Sequence, residues 1–258
     1  LVFFIVTFLG TMPEGAWQKV YEMNLLFKMI ALAFIFLISQ AITLNFILQA
    51  ITKFGYKNLS NFLFGKYQTP VIEERMFLFM DLKSSTTYAE ILGNIKYSKL
   101  IKDCINDINK LVDSYNAEIY QYVGDEVVLT WETKGNWNVM SGIGVFFAFK
   151  KKLQDRTDYY MKEYGVIPEF KAGLHGGKVT VAEVGNIKRD IAYHGDVLNT
   201  ASRIESICNQ YKERLLISGW LLQKTTNLDG FRSIPIGDVQ LKGKLKKIDV
   251  HAVHKVNS

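Results

Sequence analysis

Residues 75–93 read RMFLFMDLKSSTTYAEILG and residues 117–131 read AEIYQYVGDEVVLTW. In the first stretch the apolar run RMFLFMDL is short and unbroken up to an acid, which predicts a buried strand ending at Asp81. KSSTTYAEILG then predicts the start of a helix, with Ser84 or Ser85 as its N-cap. The second stretch predicts two short β-rich segments meeting at Gly124-Asp125, the signature of a two-residue hairpin. Between the two stretches, Leu100, Ile101, Cys104, Ile105, Ile108, Leu111 and Val112 recur at helical spacing from Tyr97 to Tyr115, which predicts one amphipathic helix.

Outward from this centre, Asn136 is expected to open a long helix reaching about Tyr164. FKAGLHGGKVTVAEVG, residues 170–185, predicts two strands turning at Gly176-Gly177. IAYHGDVLNTASRIESI passes from a short extended piece into a helix, and LLIS, SIPIGDVQLKG and IDVHAV supply the last strands. The order strand, helix, hairpin, helix, strand describes an α+β fold. It is a ferredoxin-like split βαβ sheet with helices packed on one face and extra elements appended. No internal repeat or low-complexity segment occurs.

The chain has 258 residues, 48% of them hydrophobic and 22% charged, which excludes a disordered or collagen-like chain. A mean hydropathy of +0.05 alongside that much charge implies apolar residues concentrated in one place. Between Leu25 and Ile51 only Lys28 is charged, and this run is long enough to cross a bilayer at about 1.5 Å per residue. Residues 1–52 are therefore expected to form a membrane region, with a full span at about 25–51. Leu1 to Leu9 read as the tail of a second membrane helix, truncated within residues 1–10, so the chain is expected to be a fragment. Glu14, Lys19 and Glu22, with Trp17 and Tyr21 at interface height, precede the span, while Lys53, Lys57 and Lys66 follow it. By the positive-inside bias the part after Ile51 is cytoplasmic and the protein sits in the cell membrane as a multi-pass chain. Gln40, Asn45 and Gln49 are expected to face other helices rather than lipid. Residues 53–72 form a juxtamembrane connector and residues 73–258 the soluble domain.

The net charge of +6 is accounted for by lysines beside the membrane and by an anionic substrate, so no nucleic-acid partner is expected. Cys104 and Cys208 lie in helical patterns without the spacing of a zinc site or redox pair, and are expected to be reduced, buried thiols.

Asp81 at the end of the first strand and Asp125 at the tip of the hairpin meet at one edge of such a sheet. Taken singly, each is a helix-cap acid or a turn residue. Together, beside a helix N-terminus, they are hard oxygen ligands suited to Mg²⁺ carrying a polyphosphate, with the free N–H groups of Lys83, Ser84, Ser85 and Thr86 receiving phosphate oxygens.

FMDLKSST (79–86), VGDE (123–126), HGDVLNTASRIE (194–205) and LKGK (241–244) in that order resemble the nucleotidyl cyclase domain of class III adenylate and guanylate cyclases, roughly from Glu73 to Val253. Diguanylate cyclases carry their signature in the same hairpin but have no counterpart to N-T-A-S-R or L-K-G-K. The resemblance implies a nucleotidyl cyclase domain preceded by transmembrane helix segments, and two Mg²⁺ or Mn²⁺ ions per site held at Asp81 and Asp125, with Leu82 beside them. It implies ATP as substrate, with GTP the alternative, attacked in line at the α-phosphate by its own 3′-hydroxyl to give a cyclic nucleotide and pyrophosphate. Asn199 and Arg203 match the pair that orients the ribose and neutralises the phosphate. Lys244 matches the lysine that binds the terminal phosphates, with Lys242 the nearby alternative. A head-to-tail homodimer is implied, the aspartates of one subunit meeting Asn, Arg and Lys of the other.

The departures fall at the purine-reading positions. Gln121 stands where adenylate cyclases usually have Lys and guanylate cyclases Glu, and Ala192 where Asp or Thr is usual for adenine. No carboxylate faces the base at Gln121, which favours ATP. A different expectation, a catalytically degenerate domain that binds nucleotide or pairs as a regulatory module, draws on the same departures. His175 and His194 lie in Gly-flanked segments, and no catalytic histidine is assigned.

Overall fold

In the computed structural model, which describes residues 14–256, the run around Met80 forms the middle of a sheet. Strand β1 (Val71–Leu82) pairs antiparallel with β3 (Glu126–Glu132) on one side and with β4 (Phe170–Val184) on the other. Its side chains are buried on both faces because helices cover the sheet on each side, which is why its sequence is continuous rather than alternating. Among the described residues β2 (Glu118–Val123), β5 (Asp190–His194), β6 (Leu215–Ser218), β7 (Phe231–Val239) and β8 (Ile248–Lys255) complete an eight-stranded sheet of order β2-β3-β1-β4-β6-β8-β7. Strand β5 pairs with β4 off that path. The β2-β3-β1-β4 part is the split βαβ arrangement expected, and β4 to β6 is its parallel extension.

The unit Leu1–Lys66 is distinct from the unit Tyr67–Ser258. In the first, α1 (Glu14–Phe54) runs unbroken for 41 residues, and α2 (Tyr56–Leu63) follows Gly55. The helix begins earlier than the span expected at 25–51, because the preceding residues Gln18, Lys19 and Glu22 are good helix formers and Gln18 Nε2 donates to Glu22 Oε1 at 3.3 Å. Within it, Tyr21–Lys53 is long and apolar enough to cross a membrane. Several of its polar side chains bond within the helix: Gln49 Nε2 donates to Asn45 Oδ1 at 2.7 Å, and the Thr43 and Thr52 hydroxyls donate to carbonyls one turn back. The truncated helix expected at 1–10 lies outside the described residues.

In the second unit, α3 (Ser85–Val112), α4 (Val139–Asp155) and α5 (Thr157–Tyr164) cover the face that buries Met76, Leu78, Met80 and Leu82. Helix α6 (Asp196–Ser206) lies on the opposite face with Phe77, Phe79, Val179 and Val181, so helices cover both faces rather than the one expected. The four-residue α7 (Gly219–Leu222) follows β6.

Two local expectations are corrected, the turn in β4 and the long helix from Asn136. Strand β4 runs straight through Gly176 and Gly177, neither of which has positive φ. A Cβ on Gly176 would lie 2.5 Å from the Trp137 ring and one on Gly177 2.8 Å from Val197, so these glycines admit neighbours instead of making a turn. Ser84 sits at the N-cap of α3 in a left-handed conformation with no side-chain cap, and α3 kinks at Gly93, whose φ is 69°. The helix expected from Asn136 to Tyr164 is capped by Asn138, which accepts from Ser141 N, and breaks at Arg156. Arg156 leaves the helix to pair with the buried Asp107. Finally, β1 starts at Val71, and Tyr67 is buried with its hydroxyl donating to Glu73 at 2.8 Å. Glu73 and Glu118 in turn hold the fully buried Arg75.

Candidate active site

Residues alternate across β1, so Asp81 shares the face of Phe77 and Phe79, the one that α6 covers. The strand register sets Asp81 opposite Lys171 on β4, and the Lys171 ammonium reaches Asp81 Oδ2 at 2.9 Å and also pairs with Glu205 at the end of α6. The β2–β3 turn needs a left-handed residue, which Gly124 supplies at φ 62°, and the β1–β3 register brings this turn, with Asp125, level with the end of β1. There the Asp125 carboxylate is close enough to the Ser85 side chain and to Asp81 for both to act on it electrostatically.

The charges at this edge do not balance. Burial, and then the Asp81 charge, push the Asp125 carboxyl above its ordinary range against the pull of Ser85. Burial also raises Glu126 to about 7, with Glu205, Asp81 and Asp125 adding to the effect. Burial raises Glu205 as well, opposed by Lys171. On Lys171 burial acts downward, but Glu205 and Asp81 outweigh it and raise the ammonium. Among the described residues, Lys171 is the cation that faces the carboxylates Asp81, Asp125, Glu126 and Glu205. Asp125 Oδ2 is shut off from solvent and has no hydrogen-bond partner. A divalent cation fits this arrangement, since an orphaned oxygen and like-charge repulsion are both relieved by one positive ion. Among the described residues no three His, Cys, Asp or Glu side chains form a complete cage. Two carboxylates with outside oxygen ligands are the usual way of holding Mg²⁺ on a phosphate substrate. Leu82 is buried at the end of β1, and the exposed or half-exposed run Lys83 to Thr86 follows it into α3.

A second group gathers around α6. Gly195, at φ 146°, precedes the helix without a side-chain cap. Asn199 is exposed and Arg203 half-buried, one turn apart. The loop 241–244 folds against them: a Cβ on Gly243 would lie 3.3 Å from Arg203 Nη2. The Lys244 ammonium pairs with Asp196, which holds that carboxyl below its ordinary range, whereas Lys242 is exposed. Lys244 is therefore paired with the start of α6 and not with Asp81 or Asp125. His175 Nδ1 faces Ser218 Oγ at 2.6 Å, and burial lowers its pKa to about 4.

Gln121 is exposed on β2 and Ala192 half-buried on β5. Their neighbours Tyr120 and Tyr193 meet edge to face at 4.8 Å, and both rings pack on Phe77. Sequence reasoning missed Lys171, Glu126, Glu205 and Asp196. Glu126 and Asp196 were within reach, in the VGDE and HGDVLN motifs, but Lys171 and Glu205 become site residues only through the β1–β4 register and the docking of α6. Both cysteines are buried and free, as expected.

The chain is 32% identical over 205 residues to adenylate cyclase 2 of Rhizobium meliloti (strain 1021), covering 80% of this chain and 56% of that protein. It is 25% identical over 181 residues to an adenylate cyclase of Anabaena cylindrica, covering 68% of this chain and 36% of that one. It thus spans about half, or less, of the length of these curated relatives. Among solved structures, the adenylyl cyclase CyaB from P. aeruginosa superposes with a TM-score of 0.65 at 20% identity, over 73% of this chain and 97% of that one, a likeness of fold. Residues 68–255 match the family described as the adenylate and guanylate cyclase catalytic domain, and with the four motifs placed on that fold, the chain belongs to this family.

Proposed function

We propose that this chain is the catalytic part of a membrane-anchored cyclase that converts ATP to cyclic AMP and pyrophosphate. The observation that carries the reading is the pair Asp81 and Asp125 at one sheet edge, with Asp125 Oδ2 buried and unpartnered. Asp81 and Asp125, with Leu82 alongside, would hold two Mg²⁺ or Mn²⁺ ions. When bound, these ions neutralise the triphosphate and acidify the ribose 3′-hydroxyl. The 3′-oxygen forms the new bond to the α-phosphorus as the bond to pyrophosphate breaks.

The chain's own residues bind and orient. The backbone N–H groups of Ser84, Ser85 and Thr86 receive phosphate oxygens at the start of α3, whereas the Lys83 N–H expected among them is already taken by the Glu169 carbonyl at 2.8 Å. Asn199 orients the ribose, Arg203 neutralises charge gathering on the α-phosphate, and Lys244 binds the terminal phosphates, exchanging its partner Asp196 for the substrate. Within one chain, Arg203 and Lys244 are engaged around α6, which supports two copies sharing each site, the aspartates from one and the cations from the other. Helix α1 would anchor the pair in the bilayer and keep the catalytic parts at high effective concentration. Gln121 presents no carboxylate to a guanine, which supports ATP, as do relatives named adenylate cyclases. Ala192 offers the base no polar group, and this favours the second reading, a regulatory nucleotide-binding module.

The full chain in lipid bilayers, given Mn²⁺ with ATP or GTP, distinguishes the readings. Cyclic AMP is expected in excess over cyclic GMP, with Asp125→Ala lowering it by about a hundredfold or more. Product no greater than that of Asp125→Ala with either nucleotide would leave only the regulatory module.

A further inference from the structure

On the face covered by α3 to α5, a cavity of about 360 Å³ is lined by α4 and by the run from Ile167 into β4. Its floor is apolar: Phe146, Phe149, Leu153 and Phe170 are buried, and the rings of Phe149 and Phe170 meet edge to face at 4.9 Å. Its rim is charged, with Lys150, Arg214 and Glu169 among the lining residues. Arg214 Nη2 lies 2.5 Å from Glu169 Oε2, and Lys83 Nζ lies 3.7 Å from the same oxygen.

We propose that this cavity binds a small amphipathic carboxylate, its apolar body on the phenylalanine and leucine floor and its anionic head on Arg214 and Lys150. Arg214 and Lys83 share the one Glu169 carboxylate, and Lys150 adds a further positive charge to the cavity lining, so the rim favours an anionic head. A guanidinium presents more donors than one carboxylate consumes, and its fork matches the planar head of the ligand. The volume is that of a small-molecule site, and an apolar floor with a few polar groups at the mouth is the usual form of one. The site is also one ion pair away from the candidate phosphate turn, because Glu169 binds Arg214 and Lys83 through the same oxygen and its carbonyl accepts from Lys83 N at 2.8 Å. The binding does not depend on turnover.

The test titrates 3-phenylpropionate against the full chain in neutral phosphatidylcholine nanodiscs by ligand-observed NMR, with empty nanodiscs subtracted. Saturable binding is expected, at least about tenfold weaker for the neutral 3-phenylpropionamide and for Arg214→Gln, a change at a partly exposed side chain that leaves the core intact. Leu153→Trp, which fills the cavity, should abolish it. Lys150→Gln, on the exposed side of α4, should weaken it without touching the floor and keeps the test open if the tryptophan variant does not fold. No saturable binding, equal binding of the amide, or binding unchanged in Arg214→Gln would overturn the proposal.

Discussion

Asp125 sits where electrostatics oppose folding. Its Oδ2 has neither solvent nor a donor, and Asp81 stands beside it, so in the absence of a cation the folded chain holds two carboxylates against their repulsion. Such strain at a functional site is usually relieved by the mutation that removes function. Asp125→Asn is therefore expected to raise stability in a metal chelator by about 1 kcal/mol while it abolishes both turnover and the Mn²⁺-dependent rise in melting temperature. Thermal melts with and without Mn²⁺ check this. A variant that melts earlier in chelator and still gains from Mn²⁺ would contradict the assignment of Asp125 as a cation ligand. The two aspartates were legible in the sequence because each closes a strong local pattern, a strand end and a glycine turn. Lys171 was not, since nothing within a few residues of it distinguishes it from a solvated strand lysine.

At the scale of elements, the packing of α6 on β4 brings Glu205 to Lys171 and sets the exposed face that carries Asn199. The close approach depends on Gly173, where a Cβ would lie 2.3 Å from Glu205 N and 2.4 Å from Ala201 O, both backbone atoms that cannot rotate away. Gly173→Ala is expected to push α6 off the sheet at a cost of about 1–3 kcal/mol. It should also weaken nucleotide turnover more than Gly165→Ala, where nothing lies within 4 Å but φ is +71°. Denaturant melts and product formation measure the two effects, and equal loss in both variants would mean that backbone strain rather than packing governs. The same distinction explains the misread turn in β4. Gly-Gly is a turn signal in isolation, yet Gly176 and Gly177 are small because Trp137 and Val197 press on the strand. Periodicity, by contrast, located α6 and the last strands well, because amphipathic spacing is a local property.

At the scale of the whole molecule, the proposed dimer would bring the cations around α6 of one chain to the carboxylates at the β1 edge of the other. Co-expressed Asp81→Ala and Arg203→Ala chains should each be inactive alone. Half of a random mixture is mixed dimer with one of two sites intact, so about a quarter of wild-type activity should return. Cyclic nucleotide production by the purified mixture checks this. Mixed dimers shown to form, yet without activity, would contradict a shared site.

The amino-acid sequence alone determined most of the strands and helices, the apolar run, the family motifs and the placing of the two aspartates at a strand end and a glycine turn, because each rests on a local pattern. Only the tertiary structure decided that α6 covers the opposite face, that β4 runs unbroken, and that Lys171 and Glu205 belong beside Asp81. Those outcomes depend on strand register and on how closely backbones approach, which arise from contacts between residues far apart in the chain.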